Sequence, residues 1–365
     1  MPSPENWLET TDQEKIFLDD CQLTEIPAGF SQTGDLEELH LDNNRLESLP
    51  DELVGLTNLK VLSVAGNRLS VLPANFDRLQ NLEVLRLHGN KLAAFPVSLW
   101  QLAKLRKLYL GDNPVAEISA GLGNLAGLTE LYLYGTGITV LPEAIGNLGS
   151  LEILDLGHNR LEKLPAGLAD LTALRFLYLS DNRLGALPAS LFDNLPELRY
   201  FNATDNTLTG LPASFGNLSK LVELRLYNNH LETLPETVGH MTALKELHLM
   251  NNRLTALPAS IGHLQSLKEL YLLNNPLESL PETIGHLKNL TRLDLRNNRL
   301  KALPDTIGGL VNLTHLDLRA NRLTILPDYL AALPRLEKLD LRWNKLAFLP
   351  GWLDRLEKSG CTVYL

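Results

Sequence analysis

Leucine recurs along this chain at a fixed spacing, and the polar residues between the leucines recur with it. The stretch LEELHLDNNRLESLP (36–50) returns as LKVLSVAGNRLSVLP (59–73) and as LEVLRLHGNKLAAFP (82–96). In the LxLxx centre of each copy two leucines alternate with polar residues, the period of a strand with one buried face. The LP step leads into PETV (235–238), PETI (281–284) and PDTI (304–307). Proline at a first helical position gives up no needed N–H, and a carboxylate beside it suits the positive end of a helix. Each copy therefore predicts a short strand, a turn at an asparagine, and a short helical segment that opens at the proline.

The asparagines mark the register. They run from Asn44 to Asn344 in steps of 23 residues, with one step of 24 between Asn182 and Asn206. Thr136 stands where an asparagine is due, and Cys21 holds the corresponding seat of a degenerate first copy, IFLDDCQLTEIP (16–27). Each asparagine can bond backbone groups of its own turn and the next, so a structural role is expected of all of them. One copy cannot bury its leucines, whereas stacked neighbours can, provided that both ends are capped. Trp7 and Leu8 are candidates for the first cap. At the other end Cys361, Val363 and Leu365 alternate with Thr362 and Tyr364, which predicts a closing strand one residue out of register with the copies before it. The expected organisation is a single domain over 1–365, with a cap at 1–15, repeats over 16–350 and a capping segment at 351–365.

The pattern LxxLxLxxNxLxxLP, matched fifteen times in register, resembles the leucine-rich-repeat superfamily over almost the whole chain. The 23-residue length and the LPxxIGxLxxL half are most similar to bacterial repeats, to plant intracellular Ras-group-related repeats, and to the repeat domains of Roco-type GTPases. The resemblance implies an α/β horseshoe with a parallel β-sheet on its concave face and short helical or 3-10 turns on its convex face. It also implies a non-catalytic scaffold that binds a protein or peptide.

Composition narrows the function further. A net charge of −10 opposes sequence-independent binding to nucleic acid, which needs a surplus of Lys and Arg. Two cysteines far apart, without a CxxC pair, indicate neither a disulfide framework nor a zinc site. The opening MPSPENWLETTDQEK has no apolar core of a signal peptide, and no run of 18 apolar residues occurs, so no membrane association is expected. The expectation is a cytoplasmic monomer without a cofactor, with signal-independent export left open. GxxxxGK[ST], HExxH, GxSxG and the kinase motifs are all absent, so no enzyme activity is expected. His240, His263 and His286 recur at the repeat period on the outer turns, too far apart to share a metal ion.

Function is then expected at the positions that the repeat leaves free, four and two residues before each asparagine. Six of the nine tyrosines stand there, namely Tyr109, Tyr132, Tyr134, Tyr178, Tyr227 and Tyr271. Phe176 and Tyr200 flank them, and Arg225, Met250 and Leu273 share the two columns. Tyrosine offers contact area and a hydrogen bond at low entropic cost, as interface hot spots require. Rings at strand spacing, ~4.8 Å, can equally support one another. The copy around Tyr132, Tyr134 and Thr136 is the most irregular and the sharpest candidate.

A second zone pairs Asp294 with Arg296, Asp317 with Arg319, and Asp340 with Arg342. Each column stacks like charges, so the two columns are expected to neutralise one another diagonally. Such a face is either self-satisfied or a dock for an acidic partner, aided by Trp343. Trp100, on an outer turn, is expected as an exposed secondary contact. Three function classes follow. An independent interaction module leads; the alternatives are the recognition part of a larger regulator or secreted effector (ubiquitin ligase, Roco GTPase or kinase type) and a structural surface protein.

Overall fold

Each leucine pair builds a strand of three residues, flanked by a turn that the asparagine holds. The computed structural model describes residues 14–26 and 35–365, so Trp7 and Leu8 lie outside the described residues. The chain divides into two compact units, Met1–Tyr178 and Leu179–Leu365. Among the described residues the first holds eight strands, β1 (Lys15–Phe17) to β8 (Phe176–Tyr178). The second holds eight more, β9 (Tyr200–Asn202) to β16 (Thr362–Tyr364). Within each unit neighbours in chain order pair in parallel, one repeat apart: Leu131 lies opposite Leu154, and Leu247 opposite Leu270. Parallel strands need a long crossover, and the remainder of each copy supplies it.

That crossover is a 3-10 turn in most copies, as at Glu236–His240 and Glu282–His286. The proline does not open the turn from within. Pro235 and Pro281 stand one residue before it in extended conformation, with ψ near 147–149°. Their carbonyls accept the first bond of the turn, from the amides of Val238 and Ile284 at 3.0 Å, which is the role of an N-cap and not of a first helical residue. Among the described residues the α-helix Trp352–Lys358, α1, is the exception to the 3-10 pattern.

Leucine fills the interior of both units almost alone. Where Phe201 and Ala203 replace two leucines, Phe192, Phe201 and Phe215 meet edge to face with centroids 4.6–5.7 Å apart. The small Ala203 offsets the larger rings, so the extra residue of that copy is absorbed by packing. Trp100, expected at the surface, is instead 2% exposed. It sits edge-on to Phe95 at 6.0 Å and occupies the space that a Cβ on Gly121 would enter. The missing side chain of the following copy makes the pocket for the indole.

The buried asparagines stitch one copy to the one before it. Asn252 donates from Nδ2 to the carbonyls of Leu226 (2.9 Å), Leu249 (3.0 Å) and Met250 (3.2 Å). Its Oδ1 accepts from the amide of Leu231 at 3.0 Å. Thr136 cannot reproduce this. Its hydroxyl reaches the carbonyl of Leu133 (3.0 Å) and Oδ1 of Asn159 (2.9 Å), but it sends no bond back to the preceding copy. Cys21 is likewise no ladder member; it is exposed, with Sγ 3.3 Å from the carbonyl of Asp19.

At the far end β16 pairs with β15 (Lys338–Asp340), Lys338 lying opposite Thr362. The step is 24 residues, one more than the repeat, as the alternation of Cys361 and Val363 requires. Leu365, expected to turn inward, is 58% exposed. Trp352 of α1 donates from Nε1 to Asp328 at 3.0 Å and covers the last turn.

Asn252→Ala leaves the buried amide of Leu231 without its acceptor and the carbonyls of Leu226 and Leu249 with one asparagine donor each, Asn229 and Asn275, in place of two. It should cost roughly 2–4 kcal/mol, measured by urea unfolding against the wild type.

Candidate partner-binding surface

The two columns of free positions stand on the open face of the strands, and each unit arranges them differently. In the first unit the four-before column reads Arg86, Tyr109, Tyr132, Asp155 and Tyr178 on adjacent strands. The Arg86 guanidinium lies 5.3 Å from the Tyr109 ring centroid. Tyr109 in turn stacks on Tyr132 at 4.6 Å with the planes 8° apart. The Tyr109 hydroxyl donates to Glu130 at 2.7 Å, and Lys107 neutralises the same carboxylate at 2.7 Å. Self-support of the rings is therefore real.

Tyr134 lies flat rather than upright. Its ring covers Gly111, where an added Cβ would come within 2.6 Å of it. Burial pushes all three phenols above their usual range, Tyr132 to about 12. They remain hydrogen-bond donors at any physiological pH.

Asp155 is the acidic member of this column. Burial pushes its carboxyl up, while the amide of Gly157, donating to Oδ1 at 2.9 Å, pulls the other way. Among the described residues no Lys or Arg forms an ion pair with it.

In the second unit the open face is paired side chain by side chain, two residues apart on one strand. Arg225 donates to Glu223 at 2.5 Å, His248 lies 3.2 Å from Glu246, and Tyr271 donates to Glu269. Arg225 also lies 5.9 Å from the ring centroid of Tyr200, and Tyr271 stacks on His248 at 4.8 Å. Tyr227 and Met250 are half-buried beside this row. Glu223, Glu246 and His248 bring three potential metal-ligand atoms within 4.8 Å of one another, though Arg225 already holds Glu223.

The Asp–Arg ladder follows the same rule and carries the expected diagonal pairing as a second, longer set of contacts. Arg296, Arg319 and Arg342 each reach the aspartate of their own strand at 2.6 Å. The diagonal contacts are longer, 3.5 Å from Arg296 to Asp317 and 3.3 Å from Arg319 to Asp340. A two-residue offset on one strand lets the guanidinium fork meet both carboxylate oxygens, which the neighbouring strand does not allow. Burial alone would raise the fully buried Asp340, but Arg342 and Arg319 outweigh it and hold its carboxyl below the usual range. A shallow cleft of about 190 Å³ opens between Tyr271, Asp294, Arg296, His315 and Lys338. Trp343 is 71% exposed, with the Arg342 guanidinium 5.5 Å from its ring centroid.

A second, exposed ladder is a feature that the column reading misses. Asn228, Asn251, Asn274 and Asn297, each one residue before a buried asparagine, hand an amide N–H back one copy at 2.5–2.6 Å, ending on Asp205. All four are left-handed, with φ of 54–58°. The signal was present: that position is Asn, Asp or Gly in most copies, the residues that tolerate this conformation.

Parallel three-residue strands, 3-10 turns and a buried asparagine ladder define a leucine-rich-repeat protein. The chain belongs to that superfamily: the family model described as "Leucine rich repeat" matches residues 14–69, 70–115, 126–184 and 288–346. Those described as "Leucine-rich repeat region" and "Leucine Rich repeats (2 copies)" match 188–276 and 265–310. Among solved structures it is similar to a leucine-rich-repeat protein of Leptospira interrogans, with 33% identity over 100% of this chain and 98% of that one and a TM-score of 0.81. It is also similar to the plant peptide hormone receptor RGFR1, solved in complex with RGF2, at 31% identity, covering 91% of this chain and 63% of that one, with a TM-score of 0.64. An internalin of Listeria monocytogenes shares 26% identity over 81% of this chain and 88% of that one, at a TM-score of 0.60. No curated protein matches the chain. Among the described residues no helix is long and apolar enough to cross a membrane.

The two aspartates should respond oppositely to pH. The folded state holds Asp340 below its usual range, so its ionised form stabilises the fold above the unfolded pKa, and that stability is lost as pH falls through the folded value. Asp340→Asn should cost about 2–3 kcal/mol at pH 7 and nothing in acid. The folded state raises Asp155, so its ionised form weakens the fold as pH rises through the folded value. Asp155→Asn should unfold at higher urea than the wild type at pH 7, the two converging at about pH 3, below the ordinary carboxylate range.

Proposed function

We propose that this protein is a non-catalytic scaffold that holds a protein or extended peptide on the open face of its strands, the concave face of this family. The observation that carries the reading is the aromatic area at positions which the repeat does not need. Tyr109, Tyr132, Tyr134, Tyr178 and Tyr227 stay half-buried at seats where any polar residue would satisfy the fold, and Met250 adds apolar surface. The cleft beside Tyr271, at about 190 Å³, is smaller than the ~300–1,000 Å³ of a small-molecule site. The binding of RGF2 by the receptor relative supports a peptide or protein ligand for this chain too. The Asp–Arg ladder meets its charges internally, so the tyrosines of each unit are the stronger contacts, Tyr109, Tyr132, Tyr134 and Tyr178 in the first and Tyr227 in the second, with Tyr200, Arg225, Tyr271, Arg296, Arg319, Arg342 and Trp343 as lesser ones in the second.

The test is capture from a lysate of the source organism, with wild type and a Tyr132→Ala/Tyr134→Ala/Tyr178→Ala/Tyr227→Ala variant as baits. Each hot-spot tyrosine is worth on the order of 2 kcal/mol, about thirtyfold in affinity, so the variant should retain none of the specific partner. Equal capture by a variant whose urea unfolding matches the wild type would refute the reading.

A further inference from the structure

Four copies place an aspartate in the same seat, four residues before the ladder position, and three of them show what the seat takes. In β13 (Arg292–Asp294) Asp294 accepts from the amide of Arg296 (3.1 Å) and from its guanidinium, Nε to Oδ1 at 2.9 Å and Nη2 to Oδ2 at 2.6 Å. Asp317 and Arg319 repeat the arrangement at 3.2, 2.9 and 2.6 Å, and Asp340 and Arg342 at 3.3, 2.9 and 2.6 Å. The fourth seat is Asp155 in β7 (Ile153–Asp155). Its backbone half is made in the same way, Gly157 N–H to Oδ1 at 2.9 Å. Its guanidinium half is missing because residue 157 is glycine, and among the described residues nothing donates to Oδ2. Asp155 is only half-buried, so an entering group can reach it.

The surroundings of this seat suit a planar cation. Tyr109 covers one face of the Tyr132 ring, which leaves the other face turned to the strand of Asp155. Tyr178 stands opposite Asp155 on the next strand. Tyr134 folds the other way, onto Gly111, and does not fill the gap. A guanidinium stacks on aromatic faces and forks onto a carboxylate; an ammonium does neither so well. Asp112, on the rim near Tyr134, adds a further negative charge without an ion pair among the described residues.

We propose that the Tyr132–Asp155 seat of the first unit is a socket for an arginine side chain of a protein partner, the group that Arg296, Arg319 and Arg342 supply from within at the three equivalent seats. The partner's arginine completes the half-made pair at Oδ2 and lies against the free face of Tyr132. The inference rests on the scaffold reading above and names the chemistry that the first unit selects.

The full chain is titrated at low ionic strength with labelled nonapeptides of alternating glycine and arginine, glycine and lysine, or glycine and citrulline. The arginine peptide should bind at least about tenfold tighter than the lysine peptide, and the citrulline peptide, equal in shape but uncharged, should not bind. Asp155→Asn and Tyr132→Ala should each bring the arginine peptide down to the lysine level. Equal binding of arginine and lysine peptides, or an unchanged arginine affinity in folded Asp155→Asn, overturns the proposal. So does concentration-dependent self-association, measured by sedimentation, that Asp155→Asn abolishes, since the arginine would then come from a second copy. If the arginine preference is absent while lysate capture still depends on the tyrosines, the socket falls and the scaffold stands. If the preference holds while the tyrosine variant captures normally, the scaffold reading falls alone.

Discussion

A strand of three residues is too short to hold itself, and the structure depends on the buried asparagine amide that binds each copy to the one before. Leucine burial supplies the drive to stack, at ~25 cal/mol per Å² of apolar surface, but it is non-directional and would tolerate slipped registers. The amide is directional. Its two N–H donors and one carbonyl match groups found only at one offset, as Asn252 shows with Leu226, Leu231 and Leu249. Register follows, and register is what lines up every fourth-before and second-before residue into columns. The open face is a by-product of satisfying the closed one.

On that face one local rule governs charge in the second unit. A carboxylate is answered two residues later on its own strand, by Arg225, His248, Tyr271, Arg296, Arg319 or Arg342. The spacing puts both groups on the same side of a strand with no loop between them. In the Asp–Arg ladder the neighbouring strands add only longer contacts, whereas in the first unit the carboxylate of Glu130 is answered from the neighbouring strand, by Lys107 and Tyr109 at 2.7 Å. Asp155, followed by Gly157, departs from the rule and keeps a burial cost that the Gly157 amide and the nearby His158 only partly offset. Such a cost is tolerated where a ligand later removes it.

Much of this was legible beforehand. The 23-residue period, the asparagine seats and the LxLxx alternation determine the fold because each is dictated by local bonding. The off-register closing strand was equally readable, since the alternation of Cys361 and Val363 is itself a burial pattern. Trp100 was not readable: its pocket is made by the absence of a side chain at Gly121, a copy away. The flat pose of Tyr134 over Gly111 was hidden for the same reason. The tyrosine and arginine columns could be placed on the face, but which charges pair depends on fork geometry that spacing alone leaves open.

Thr136 has a further consequence. In the first unit Asn44, Asn67, Asn90, Asn113 and Asn159 all reach back across a joint between copies, and Thr136 does not. A linear array of copies with nearest-neighbour coupling opens first where the coupling is weakest. The seam between β5 (Lys107–Tyr109) and β6 (Glu130–Tyr132) is thus a line of easy parting, where amide hydrogens exchange through local opening rather than global unfolding. Tyr109 and Tyr132 stack directly across that seam at 4.6 Å. The aromatic pair acts as an external clasp over a joint that lacks its internal stitch, and anything that grips the rings also closes the joint.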